Sequence, residues 1–204
     1  MSRDRAQTML DAHEITDVLM RWGYARDADD WEALAACYHD DATMNVSWLS
    51  ATAAEFVDRS KEMAANRPPG SHMKHQIGGP IIDINGNRAF SRCHSTLYIR
   101  AIVDGYEFDF ESLFRFFDLF ERRDDSWRFF RRTSVYEKDR MDPVCPARAP
   151  SGLVEDLDLS AFQPEVRFLS YFLCRAGYEV LPVPVVYSRE EADLRRECED
   201  WLTG

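Results

Sequence analysis

Three short turn signals set the strongest limit on how this chain folds. Asn85-Gly86-Asn87, Asp104-Gly105 and Asp124-Asp125-Ser126 divide the middle of the sequence into long runs. Gly, Asn and Asp tolerate the positive φ angles that tight hairpin loops require. The runs between them, "PIIDI", "RAFSRCHSTLYIRAIV", "YEFDFESLFRFFDLFERR" and "WRFFRRTSVY", are rich in aromatic and β-branched residues, as strands are. The spacing therefore predicts an antiparallel meander. In the third run Phe108, Phe110, Ser112, Phe114 and Phe116 share one face, while Phe117 and Leu119 fall on the other. A strand apolar on both faces is covered on both. One face should be pocket wall and core. The other should meet a second subunit or the C-terminal part of the chain, so a homo-oligomer, dimer or trimer, is expected.

Helical periodicity precedes the meander. Ile15, Val18, Leu19 and Trp22 form an i, i+3, i+4, i+7 stripe within residues 11–26, and Asp11 with Glu14 has capping-box spacing. Asp27-Ala28-Asp29-Asp30 ends that helix and caps a second, which starts near Trp31 and turns Leu34, Cys37 and Tyr38 inward. Residues 43–48 read as a short strand. Thr52 and Glu55 open a third helix that runs to about Asn66 and stops at Pro68-Pro69-Gly70. Helices followed by a meander give an α+β domain, with a strongly curved sheet folded over the helices around a pocket. Beyond Asp142, "PVCPARAPSG" reads as a linker. Helices follow at about 164–176 and 189–202, and the apolar "VLPVPVV" between them should pack on something. The chain thus divides into a core domain, 1–145, and a C-terminal extension, 146–204.

Composition excludes several function classes. The 204 residues carry 36 acidic and 25 basic side chains, a net charge of -11, which disfavours nucleic acid and anionic membrane surfaces. The sequence contains no transmembrane run, and its first ten residues lack the apolar core of a signal peptide. Five widely spaced cysteines without a CxxC indicate reduced thiols and a cytoplasmic protein. His72 and His75 lie near each other, but no His-x-x-x-His and no second carboxylate cluster accompanies them, so no metal is expected.

The segments "WGYARDADDWEALAACYHDDATMNVSW", "DINGNRAFSRCHSTLY" and "LFERRDDSWRFFRR" resemble SnoaL-like proteins of the nuclear transport factor 2-like superfamily. The resemblance covers roughly residues 10–140. It implies a cone-shaped α+β barrel in which N-terminal helices pack inside a curved, mixed or antiparallel sheet. It also implies a small-molecule substrate and no cofactor. The superfamily hosts dehydratases, dehydrohalogenases, isomerases, polyketide cyclases and catalytically silent subunits, so fold alone does not set function. Among its members, scytalone dehydratase and hexachlorocyclohexane dehydrochlorinase are similar at two points. Asp27 matches their pocket aspartate, and His75, 48 positions on, matches their catalytic histidine. Arg132 falls where the dehydrochlorinase has an arginine near the leaving group. The departures are Trp22, where that enzyme has lysine, Arg26, where scytalone dehydratase has tyrosine, and the absence of a tyrosine at 46–48.

An aspartate that accepts the Nδ1 hydrogen of a histidine leaves Nε2 free as a base and stabilises the imidazolium that forms. Arg132 would then stabilise an oxyanion or a departing anion. Tyr24, Trp48 and Phe56, with Cys93, Ser95 and Leu97 from one strand face, are the expected substrate-binding residues. His94 should face away from the pocket, and His13 and His39 should lie at the surface. The plainer readings are that Asp27 only terminates a helix and that Arg132 is a structural ion-pair partner. The function expected is a cofactor-independent lyase or isomerase that takes a proton from a small hydrophobic, cyclic substrate. The alternatives are a non-catalytic ligand-binding protein, or an accessory subunit like the small subunit of ring-hydroxylating dioxygenases.

Overall fold

The computed structural model of the chain describes residues 5–148, 152, 154 and 157–204. From the N-terminus, α1 (Arg5–Asp27) and α2 (Trp31–Ala36) precede β1 (Tyr38–Val46) and β2 (Leu49–Thr52). Next come α3 (Ala53–Ala65), β3 (His72–Ile77) and β4 (Ile81–Asn85). The meander is β5 (Arg88–Val103), β6 (Tyr106–Arg123) and β7 (Ser126–Pro143). A 3-10 turn, Pro146–Arg148, and helices α4 (Arg167–Arg175) and α5 (Arg189–Thr203) complete the described chain. Residues 149–151 of the expected linker lie outside the described residues.

The three turns form where the sequence places them. Gly86 adopts a φ of 60°, Asp104 and Gly105 adopt 51° and 87°, and Asp124 and Asp125 adopt 49° and 57°. Asp is one of the few residues with a Cβ that visits this region at modest cost. The strands run in the order β2-β1-β7-β6-β5-β3, with β4 also paired to β5. Only β1 and β7 are parallel, so the sheet is mixed. It is curved but open, because β2 and β3 stand at opposite ends of the order and the barrel does not close. Register shifts within the β6–β7 and β1–β7 pairs supply curvature.

Several boundaries differ from expectation. α1 begins at Arg5, so Asp11 is not a cap; its buried side chain accepts a hydrogen bond from Trp127 Nε1 at 2.9 Å and ties the helix to β7. α2 is only six residues, because Phe129 N–H draws in the Cys37 carbonyl and Tyr38 enters the sheet opposite Phe129. His39 is buried rather than at the surface, with its Nε2 2.9 Å from the Glu121 carbonyl. The third helix is capped as expected, Thr52 accepting from Glu55 N.

The even-numbered side chains of β6 from Phe108 to Phe120 face the main core, while Phe117 and Leu119 point outward. This outer face is covered by the chain's own α5. Leu194, Cys198, Trp201 and Leu202 pack on Phe90, Phe117, Leu119 and Val135, and Trp201 stacks on Phe130 with centroids 5.6 Å apart. The apolar face therefore needs no second subunit to cover it. The "VLPVPVV" segment lies along β7 beyond the end of β1. Tyr136 N donates to the Pro184 carbonyl, and Val186 N donates to that of Tyr136. Among the described residues no helix is long and apolar enough to cross a membrane, and all five cysteines are free thiols. Phe117→Ala should cost about 3–5 kcal/mol of stability in a urea titration, as a buried Phe truncation does. A loss under about 1 kcal/mol would contradict α5 as a fixed cover.

Candidate active site

The site is built where α1 ends against β3. Ile15, Leu19 and Trp22 bury one helix stripe, and its next position is Arg26. Gly23 lets the strand come close: a Cβ there would lie 2.9 Å from Ile77 Cδ1. In β3 Met73, His75 and Ile77 turn inward, whereas His72, Lys74 and Gln76 are exposed. His72 therefore lies on the opposite face of the strand from His75. Among the described residues no three side chains are grouped to hold a metal ion.

Asp27 grips His75 twice. Its Oδ2 accepts the His75 backbone N–H at 2.7 Å, and its Oδ1 lies 2.6 Å from His75 Nδ1. The first bond fixes the strand and the second fixes the ring. With the carboxylate ionised, Nδ1 carries the hydrogen and Nε2 keeps its lone pair. Capping of α2 falls to Asp30, which accepts from Ala33 N. Trp22 packs edge-on against the imidazole, centroids 5.2 Å apart. Burial lowers the His75 pKa; Asp27 opposes that shift, while the charges of Arg26 and Arg132 add to it. The ring is therefore neutral at pH 7, the form a base requires.

His75 borders an inner chamber of about 60 Å³. Its walls include Trp22, Arg26, Met44, Trp48, Phe56, Leu97, Phe114 and Phe116. A polar corner is made by Tyr136, whose hydroxyl lies 3.2 Å from both the N and the Oγ of Ser47. Leu169, Phe172 and Leu173 of α4 line the chamber, so the C-terminal extension supplies part of the pocket wall. Asp139 of β7 holds that helix by accepting from Leu169 N at 2.8 Å, and burial pushes its carboxyl up to about 6. A second pocket of about 280 Å³ lies outside, and Met63, Met73, Ile99 and Phe172 line both. Its cations are paired: Arg67 with Asp29, Arg100 with Asp109 and Arg175 with Asp104.

Of the expected site residues, Asp27, His75, Trp48, Phe56 and Leu97 come together. Tyr24 does not; it is 80% exposed, because two residues beyond Trp22 the helix has turned that side chain to solvent. Cys93 and Ser95 share the inward face of β5 but are buried in the core, off the chamber wall, with Sγ and Oγ 3.8 Å apart. Arg132 is not presented to the chamber. It is fully buried in a two-point ion pair with Asp118, at 2.7 and 2.9 Å, beneath the rings of Trp22, Phe116 and Phe129. His94 is exposed on the other face of β5. The reading of the sequence missed Arg26, although the buried stripe of α1 runs straight to it.

A family model for the SnoaL-like domain matches residues 7–133. The chain belongs to the SnoaL-like family. Pea pathogenicity protein 2 of Fusarium vanettenii is 32% identical over 207 residues, covering 96% of this chain and 87% of that protein. Among solved structures, a scytalone dehydratase-like protein from Novosphingobium aromaticivorans superposes with a TM-score of 0.57 at 18% identity, covering 65% of this chain and 88% of its own. A type 2 hexachlorocyclohexane dehydrochlorinase, LinA, gives 0.57 at 13% identity, covering 72% and 97%. At such identities the structures establish the shared fold of this SnoaL-like chain.

Because the folded His75 pKa lies below the unfolded value, the neutral ring's contribution to stability is complete above about 6.5 and fades as pH falls below it. An NMR titration should place His75 below about 6.5 in the wild type and lower still in Asp27→Asn, where the group opposing the shift is weakened. A value unmoved by the substitution would contradict the coupling.

Proposed function

We propose that this protein is a cofactor-independent lyase or isomerase of the dehydratase or dehydrohalogenase kind, acting on a small hydrophobic, cyclic substrate. The observation that carries this reading is the double grip of Asp27 on His75 beside an aromatic chamber. His75 Nε2 removes a proton from a substrate carbon. The imidazolium that forms is stabilised by the Asp27 carboxylate, which accepts from Nδ1 throughout. The electron pair of the broken C–H bond then expels a leaving group or moves into a conjugated system, and the imidazolium returns its proton to the product or the leaving group. Burial keeps the ring neutral before reaction, and the low-dielectric surroundings strengthen the pair once charge appears.

The walls favour flat or alicyclic rings. Trp22, Trp48, Phe56, Phe114 and Phe116 supply apolar area, and the Ser47–Tyr136 corner supplies polar contacts. The substrate reaches the chamber from the outer pocket. Met63 and Met73, both unbranched and adaptable, line the way between the two. Arg132 acts at one remove. Its ion pair with Asp118 holds the Trp22 and Phe116 rings that support the imidazole and the chamber.

Solvent-deuterium exchange into a panel of cyclic ketones, with elimination of cyclic β-hydroxy and halogenated analogues, tests the reading. His75→Ala should lower exchange by about 10²–10⁴-fold while the fold is retained. Asp27→Asn should reduce it as well and, because it lowers the His75 pKa, lower the pH at which half-maximal rate is lost on the alkaline side of any imidazolium-dependent step. Ligands that bind the wild type tightly without exchange, and bind His75→Ala equally well, would replace catalysis with simple ligand binding.

A further inference from the structure

Arg26 is the one feature of the chamber that the Asp27–His75 pair does not explain. It is 3% exposed and lines the same cavity as His75. Its Nη1 has no hydrogen-bond partner, and Nη2 reaches only Met63 Sδ at 3.7 Å. Among the described residues no carboxylate lies within ion-pair distance of it, whereas Arg132, also fully buried and also with its Nη1 unfilled, is held by Asp118 at two points. The guanidinium has Trp31 5.8 Å away as its aromatic neighbour. Asp27 and Asp29 attract this cation only from beyond ion-pair distance, and burial of a guanidinium with a donor unfilled is unfavourable. Its position on the buried stripe of α1, one residue before Asp27, fixes the cation beside the base.

We propose that Arg26 is the oxyanion-binding residue of the site and that the substrate carries a carbonyl oxygen next to the carbon from which His75 takes the proton. This rests on the proton-abstraction reading above. As the C–H bond breaks, the proton passes to His75 Nε2 and its electron pair forms a C=C bond. The carbonyl π pair moves to oxygen, which gains negative charge opposite the unfilled donor of Arg26. The same cation opposes protonation of His75 in the resting site. The substrate class is therefore narrowed from cyclic compounds in general to enolisable cyclic ketones and their vinylogues. A tyrosine at this position would offer a neutral donor; arginine offers a permanent charge and a planar fork.

The test uses 4-nitrophenol, a ring-bound oxyanion whose ionisation is read from its visible absorbance. Wild type and His75→Ala should both bind the phenolate about ten- to a hundred-fold more tightly than the neutral phenol. Arg26→Met, which keeps an apolar stem and removes the charge, should lose that preference and yet unfold at an equal or higher urea concentration. Arg26→Lys should restore part of the preference. Ketone exchange in Arg26→Met should fall about 10²–10³-fold, chiefly in kcat. Phenolate preference unchanged in Arg26→Met, binding of the neutral phenol alone, no binding to the wild type, or marked destabilisation by Arg26→Met would each overturn the assignment. Arg26-dependent phenolate binding without any ketone exchange would leave this site standing and remove the proton-abstraction reading instead.

Discussion

A single carboxylate joins the last residue of the first helix to both the backbone and the ring of a strand residue 48 positions later. The rest of the site depends on that bridge. It fixes the distance between α1 and β3, selects the ring tautomer and aims Nε2 at the chamber. The approach it requires is made possible by Gly23, which leaves room for Ile77. The direction it enforces is backed by Trp22, which supports the imidazole edge-on and is itself held over the Arg132 guanidinium.

The chamber handles charge in two ways. Arg132 and Asp118 are both fully buried and neutralise each other, so their electrostatic cost is offset within the pair and by three surrounding rings, although Arg132 Nη1 has no hydrogen-bond partner. Arg26 is buried with a donor unfilled and, among the described residues, with no carboxylate at ion-pair distance. The first arrangement makes a rigid floor; the second leaves a charge available to a ligand. α4 lines the space with Leu169, Phe172 and Leu173, so the extension acts at the pocket, while α5 acts on the far side of the sheet.

Much of the fold was legible because its signals are local. Gly86, the Asp104-Gly105 pair and Asp124-Asp125 adopt the positive φ angles that hairpins demand, and alternation along β6 separates the two faces correctly. Asp27 and His75 were legible through a family pattern rather than through chemistry visible in either residue. What was not legible depends on tertiary placement. Asp11 looks like a helix cap until Trp127 reaches it from β7, and His39 looks exposed until the Glu121 carbonyl covers it. Tyr24 and Arg26 are both polar-tipped residues near the end of a helix; only the rotation of the buried stripe separates the exposed one from the buried one. Cys93 and Ser95 share a strand face with Leu97, but depth along that face, which alternation does not encode, sets them off the chamber.

The most direct test of the account is the state of the His75 imidazole nitrogens, read from 15N chemical shifts in the folded protein at neutral pH. The account predicts a neutral ring with a protonated Nδ1 donating to Asp27 and an unprotonated Nε2. A proton on Nε2, with Nδ1 bare, would leave no base facing the chamber and would contradict it.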